Sequence, residues 1–546
     1  MNLRVNYKIH KLPGITIRNR ILRRHPLYPS KRLENVKTFE ILKKTEKTAV
    51  LLISPETGRL PESMGNLARY ISGKTGGLGE VVSALCEGLR GRGINCHLAT
   101  MNLKKRFQGE NNVDESAWRE IRYKVDPDKV HLVSSSIFAN LPCAYAGNSF
   151  LNAAEFQKEV VNNIIKTVRA KNSGRLILHS HDWMAGGVIT AYAKARGCQV
   201  LHTVHNVHTG HIPMEMFFGV DVDSLAWNIY FSEEYGRRCI DSQATAIKSA
   251  TMVNFVGEKF LKEVIEDYFL DRSFIPPSVR QEVKAKHHLG ATLSIMNAVS
   301  PRLYPENCEY LVRRYDHHND VMAAKRDNLV AFQKKTGLVV DPNAILLYWP
   351  SRLDETQKGV ALLEDIALKF VIEHGDVQIA IVGNGVEGDR THEEILGRIA
   401  WASGGKITYQ RFSEELSMLG YAAASDVFGA SLYEPCGQID QIGNLFGATA
   451  TNRDTGGYHD KIEELRLTYD GASEDGGNGF LFRNYDPSGI WYGLSRSVRF
   501  HRKSPEVREH QIRRIMKEAR KKYDLDTMVD AYVRLYETLN EGEPLA

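Results

Sequence analysis

The chain has no apolar run close to the roughly 18 residues that a membrane-spanning helix needs. It is poor in cysteine, with seven in 546 residues. These are scattered, odd in number and never spaced as CxxC. This argues against a disulfide framework and a zinc knuckle, and leads us to expect free thiols in a reducing compartment, the cytoplasm. Acidic residues are scarce in one place only. Residues 1–47 hold thirteen Lys and Arg against three acids, so the net charge of +5 comes from that arm and the rest is slightly acidic. The arm lacks the apolar centre of a secretory leader. Two readings stay open: a loosely attached basic arm, or a transit peptide that would place the protein in an organelle stroma. No aromatic residues interleave with its charges in a way that argues for nucleic acid.

What is present is a soluble globular composition, 42% apolar and 25% charged, long enough for two domains. Short buried-type strands alternate with amphipathic helices from Thr48 onward. TAVLLIS at 48–54 leads to Glu56. A glycine turn, KTGGLG from Lys74, then opens a helix over Val81, Val82, Leu85 and Leu89. A turn of this kind, at a helix start, suits a phosphate: Gly76 and Gly77 let a ligand approach and the helix end favours an anion. Strands at 175–180 and 199–204 run into Asp182–Trp183 and His205–Asn206. Polar residues just past the carboxyl ends of parallel strands line a ligand crevice, although each of these could equally cap a helix or a turn. A second series starts at Ala344. Its first strand leads to Ser351, Arg352 and Lys358, and a later one, 426–430, leads to SLYEPCGQIDQIGNLFG. There Glu434 precedes a Pro-Cys-Gly turn and about ten residues of expected helix. The acid is either an ordinary helix-start residue or a contact to a sugar beside a diphosphate. His202, His205, His208 and His211 recur every third residue. That period fits neither a strand nor the i, i+4 pair of zinc hydrolases, and no metal site is expected.

Seven blocks in order then carry a resemblance: KTGGLGEV from Lys74, HSHDWMAG from His179, TVHN from Thr203, SRLDETQKG from Ser351, EPCG from Glu434, TGG from Thr455 and GNGFLF from Gly477. Together they resemble the glycogen and starch synthases of glycosyltransferase family 5. The resemblance runs from about Thr48 to Leu539. It implies the GT-B fold, an α/β architecture of two Rossmann-like doubly wound domains facing across a cleft. Residues 48–300 would form the acceptor-side domain and 301–504 the nucleotide-sugar domain, with 505–546 a helical tail packing back across both. It also implies retaining transfer of glucose from ADP-glucose or UDP-glucose to the 4-hydroxyl of an α-1,4-glucan. The nucleotide sugar is then a substrate, and neither cofactor nor metal is required.

Carried over residue by residue, Arg352 and Lys358 would grip the diphosphate. Lys74, Gly76, Gly77, Cys436 and Gly437 would complete its cradle. Glu434, His205, Asp182, Thr455, Gly456 and Gly457 would surround the glucose, with Asn206 and Trp183 on the acceptor side and Phe412 stacking on the base. Arg favours bidentate phosphate contacts and Lys a point contact, which agrees with these roles. The sequence also departs from the family pattern. About ten extra residues lie between Glu56 and Lys74, near the acceptor side. One extra residue separates Arg352 from Lys358. The usual Leu-Thr-Gln-Leu after EPCG is Gln438–Gln441, which places the acid Asp440 close to the expected diphosphate. Two other readings therefore stay open: a transferase with a small-sugar acceptor, and a non-catalytic glucan-binding relative.

Overall fold

The computed structural model describes residues 48–541, except 66–67, 74–75, 126–127, 173–175, 270–273, 386–389 and 467–475. The basic arm and Lys74 therefore lie outside the described residues. The first sheet is built from β1 (Ala49–Ile53), β2 (Cys96–Met101), β3 (Val130–Val133), β4 (Leu176–His181) and β5 (Gln199–Val204). A small antiparallel sheet follows, of β6 (His211–Pro213), β7 (Phe231–Glu234) and β8 (Arg237–Asp241), before β9 (Met252–Phe255) and β10 (Thr292–Ser294) complete the first. The second sheet contains β11 (Ile345–Trp349), β12 (Val377–Val382), β13 (Ile407–Gln410), β14 (Asp426–Gly429), β15 (Thr449–Arg453) and β16 (Gly479–Phe482).

Every pairing in the two large sheets is parallel. Parallel strands covered by helices on both faces read as unbroken apolar runs. AVLLI of β1 and ILLYW of β11 are such runs, buried at every position. The spatial orders are β10-β9-β5-β4-β1-β2-β3 and β13-β12-β11-β14-β15-β16. Each reverses direction once, between β1 and β4 in the first sheet and between β11 and β14 in the second. In doubly wound sheets a ligand crevice opens at that switch point, beyond the carboxyl ends of the strands.

Three expectations are corrected. The helix after Pro-Cys-Gly is shorter than ten residues and spans Ile439–Leu445. The charged tail is two helices, not one. Pro505–Lys522 sends Ile512 and Met516, and its capping residue Tyr523, into the core of the second sheet. Leu525–Glu541 crosses to the first, where Val529 packs on Gly88 and Tyr532 and Tyr536 are buried. Finally, residues 103–170, where the lack of a clean period leads us to expect loops plus helix with 150–169 the best helix, contain helices Lys104–Asn111 and Glu115–Lys124 and also the edge strand β3. The extra segment before the glycine turn is anchored on the first of these helices: Asn111 Nδ2 donates to the Tyr70 carbonyl at 3.1 Å.

Candidate active site

The two switch points face each other. Behind β4 and β5, Asp182 adopts φ +57, a left-handed conformation rare for a residue with a side chain. Its carboxylate explains the arrangement: Oδ1 accepts from the backbone N–H of His205 at 2.6 Å and of Asn206 at 3.1 Å. One carboxylate thus fixes the turn after β5. Burial pushes the Asp182 carboxyl up to about 7, against the opposing pull of those two amides. Burial holds His205 down at about 3 and His181 well below its ordinary value, so both imidazoles are neutral. His205 Nε2 lies 3.0 Å from His181 Nδ1. Trp183 packs under the following loop, where Gly210 leaves room for its ring: a Cβ there would lie 2.4 Å from the indole.

A raised carboxyl means that the folded chain keeps a proton which the unfolded chain, at its ordinary 3.8, has already lost. Stability should therefore fall as pH rises from about 4 to about 7. In Asp182→Asn, the fall of unfolding free energy across that window should flatten by up to about 1.4 kcal/mol per pH unit. Denaturant titrations at several pH values check this, and an unchanged slope would show that Asp182 does not hold the proton.

On the opposite wall, the residue added between Arg352 and Lys358 is absorbed as a short helical turn, Glu355–Lys358. Asp354 caps it by accepting from Gln357 N at 2.9 Å, and Gly359 ends it at φ +69. The turn returns Lys358 to the cleft, where Nζ lies 2.6 Å from Glu434 Oε2. Ser431 Oγ donates to the same oxygen at 3.0 Å. Arg352 is the more open cation, 59% exposed, and is held by Gln357 Oε1 at 3.1 Å. Phe412 is half-exposed on the loop after β13, its amide donating to Asn384 Oδ1 at 3.1 Å.

The two TGG glycines are built tightly into the loop. Gly456 N donates to Glu263 Oε1 at 3.1 Å and Gly457 N to the Glu434 carbonyl at 2.8 Å, so both amides are taken up within the protein. Both residues are pressed against the EPCG backbone: a Cβ on Gly456 would lie 1.9 Å from the Glu434 carbonyl, and one on Gly457 1.9 Å from that of Cys436. Gly457→Ala is expected to cost at least about 1–3 kcal/mol, the usual penalty of overpacking, and to displace Glu434. Thermal unfolding with a parallel rate measurement checks both; an alanine variant of normal stability would contradict this contact. Cys436 is buried. Gly437 turns at φ +69, where a Cβ would strike the Tyr458 ring.

Asp440 does not face the diphosphate position. It is fully buried and paired with the equally buried Lys461 at 2.8 Å, and Lys461 Nζ also donates to the Gly437 carbonyl. The acid that the sequence set beside the expected anion is neutralised behind the loop.

The walls meet at several points. Gly77 abuts Gln438, which donates to the Ala298 carbonyl at 3.3 Å. Within the first wall, Gly76 N donates to Glu56 Oε2 at 3.3 Å. Arg302 joins Glu80 of the first sheet's helix to Glu414 of the second's, at 3.2 and 3.1 Å. Tyr433, stacked on Phe274 at 4.1 Å, reaches His208 Nε2 at 3.4 Å. A cavity of about 360 Å³ opens beside this bridge, lined by His208, Phe274, Asp354, Gln357, Gly385 and Tyr433. His202, His205, His208 and His211 point to four different partners, Ser180, His181, Tyr433 and Ser232. Sequence reasoning missed Tyr145, whose hydroxyl is pushed well up by burial and by Glu56 and Asp182, with Arg352 opposing. It lies in the aperiodic stretch and carries no local signal.

The starch synthase catalytic domain model of glycosyltransferase family 5 matches residues 68–273. The glycogen synthase of Bacillus cereus (strain Q1) is 26% identical over 378 residues, 67% of this chain and 73% of that protein. That of Bacillus cytotoxicus is 24% identical over 492 residues, 85% of this chain and 96% of its own. Among solved structures, the catalytic domain of starch synthase IV from Arabidopsis thaliana, bound to ADP and acarbose, shares the fold with a TM-score of 0.70. It is 19% identical and is matched over 90% of this chain and 98% of that one. A sucrose-phosphate synthase from Thermosynechococcus elongatus shares it at 0.54, with 16% identity, over 90% and 99% of the two chains.

Proposed function

We propose that the chain, a glycosyltransferase of the glycogen and starch synthase type by its similarity to that family's catalytic-domain model and to bacterial glycogen synthases, transfers glucose, with retention, from ADP-glucose or UDP-glucose to the non-reducing 4-hydroxyl of an α-1,4-glucan. The observation that carries this reading is the meeting of two switch points, with Arg352, Lys358 and Glu434 on one wall and Asp182 and His205 on the other.

Departure of the diphosphate leaves negative charge on phosphate oxygens and positive charge on the sugar. Fixed cations stabilise the former most where the charge develops. Arg352 and Lys358 take that role, and the turn at Gly76–Gly77 lets the diphosphate approach the backbone. Lys358 is held by Glu434 until the diphosphate competes for it. Glu434 Oε2 already accepts from Lys358 and Ser431. A carboxylate so engaged suits orienting sugar hydroxyls rather than attacking the anomeric carbon. Attack by the acceptor from the leaving-group face then accounts for retention. His205, neutral at working pH, offers a hydrogen bond without competing for the anion. Asp182 keeps the His205–Asn206 turn in place, and Phe412 offers a face for the base.

The test is the initial rate of glucose incorporation into glycogen from each donor. Incorporation from one donor supports the reading and assigns the donor. Donor hydrolysis without incorporation indicates a small-sugar acceptor. No turnover and no donor binding would overturn the reading in favour of a non-catalytic relative.

A further inference from the structure

His181 and His205 end adjacent parallel strands, with His181 in register with Thr203 two residues before His205. The His181 ring is fully buried, 4.1 Å from the His179 ring and 5.3 Å from that of His205. Its Nδ1 meets His205 Nε2 at 3.0 Å, and its Nε2 is buried with no hydrogen-bond partner among the described residues. One proton sits between the two rings, because burial keeps both neutral. Either His205 donates, which strands an N–H on His181 Nε2, or His181 donates, which strands only a lone pair. Buried donors without a partner are the rarer of the two.

We propose that His181 is a positioning residue: it donates Nδ1–H to His205 Nε2 and so keeps the His205 proton on Nδ1, the ring nitrogen left for the cleft. His205 then presents a donor to an oxygen of the sugar. Its main chain is pinned by Asp182 at 2.6 Å and its ring by His181 at 3.0 Å, so the direction of that donor is fixed from both ends. Only the activity arm of the test rests on the transfer reaction proposed above.

The test uses the full-length protein labelled with ¹⁵N-histidine. Long-range ¹⁵N–¹H correlation, with His205 assigned by its loss in His205→Gln, distinguishes the two tautomers. Wild type should show His205 protonated on Nδ1. His181→Leu, which has no donor, should give a mixture of tautomers and lower kcat by about 10–100-fold, the usual effect of losing an outer partner, with a smaller change in donor KM. His181→Asn places an amide donor near the lost Nδ1 and should restore most of the rate and the single tautomer. His205 protonated on Nε2 in wild type would overturn the proposal, as would unchanged tautomer and kcat in a folded His181→Leu. If His181→Leu does not fold, the wild-type tautomer and His181→Asn decide. A wild type with the Nδ1 proton but no glucosyl transfer would overturn the proposed function and leave this proposal standing.

Discussion

Alanine at Glu434 or at Lys358 is expected to lower turnover by about 10²–10³-fold, the loss that follows removal of one preorganised charge contact. Stability should change less than this, by about 1–3 kcal/mol, the usual cost of leaving one largely buried polar partner unsatisfied. The two variants should differ in kind. Lys358→Ala removes the proposed diphosphate contact and should raise donor KM as well as lower kcat. Glu434→Gln keeps the shape and the bond from Ser431 but not the charge, and should lose nearly as much rate as Glu434→Ala with less effect on stability. The double alanine variant should fall well short of the product of the single losses, since the residues touch at 2.6 Å. Steady-state kinetics with urea denaturation of the same samples checks all of this. Near-normal turnover in either single variant would remove that residue from the site.

Lys461→Met is expected to destabilise the chain by about 3–5 kcal/mol, the typical result of leaving a buried charge without its partner. Asp440 and Lys461 are both fully buried, with an N–O distance of 2.8 Å. Once the ammonium is gone, burial, which already raises the Asp440 carboxyl, is opposed only by the backbone amides of Asp440 and Gln441. The penalty should therefore be greatest near neutral pH and shrink as acid protonates the carboxyl. The double variant Asp440→Asn, Lys461→Met should recover at least half of the lost stability, because it removes both charges. Lys461 also holds the Gly437 carbonyl, so the double variant should regain stability without regaining full activity. A Lys461→Met variant within about 1 kcal/mol of wild type would show that the pair does not hold the loop.

Much of this site could be read from the sequence because of how parallel sheets are built. AVLLI and ILLYW are buried on both faces and stand out as apolar runs. Asp182, His205, Arg352 and Glu434 follow the carboxyl ends of β4, β5, β11 and β14, within five residues, and so fall at or beside the switch points. Short or half-exposed elements gave no such signal. β3 is buried only at its ends and β7 at no position. The break between the last two helices carries neither proline nor glycine, only Tyr523 and Asp524, and the apolar stripe of the second begins at once. The partner of Asp440 stands 21 residues downstream, in another helix, where no local pattern links them. The extra residue before Lys358 was visible, but the Asp354 cap and the Gly359 turn that absorb it depend on the backbone path.

The final helix has a consequence for the order in which this protein can be made. Tyr536 hydrogen-bonds His179 at 2.7 Å and Tyr532 accepts from Asn254 at 3.0 Å, so residues from the end of the chain sit among the strands laid down first. A ribosome adds about 5–20 residues per second. After β10 emerges, roughly ten seconds to a minute passes before Tyr536 is made. During that interval the first sheet stands with the seat of Val529, Tyr532 and Tyr536 open to water. Nascent chains stalled short of that helix should therefore recruit chaperones and be cut by proteases in the first lobe, and emergence of residues 525–541 from the ribosome should end both.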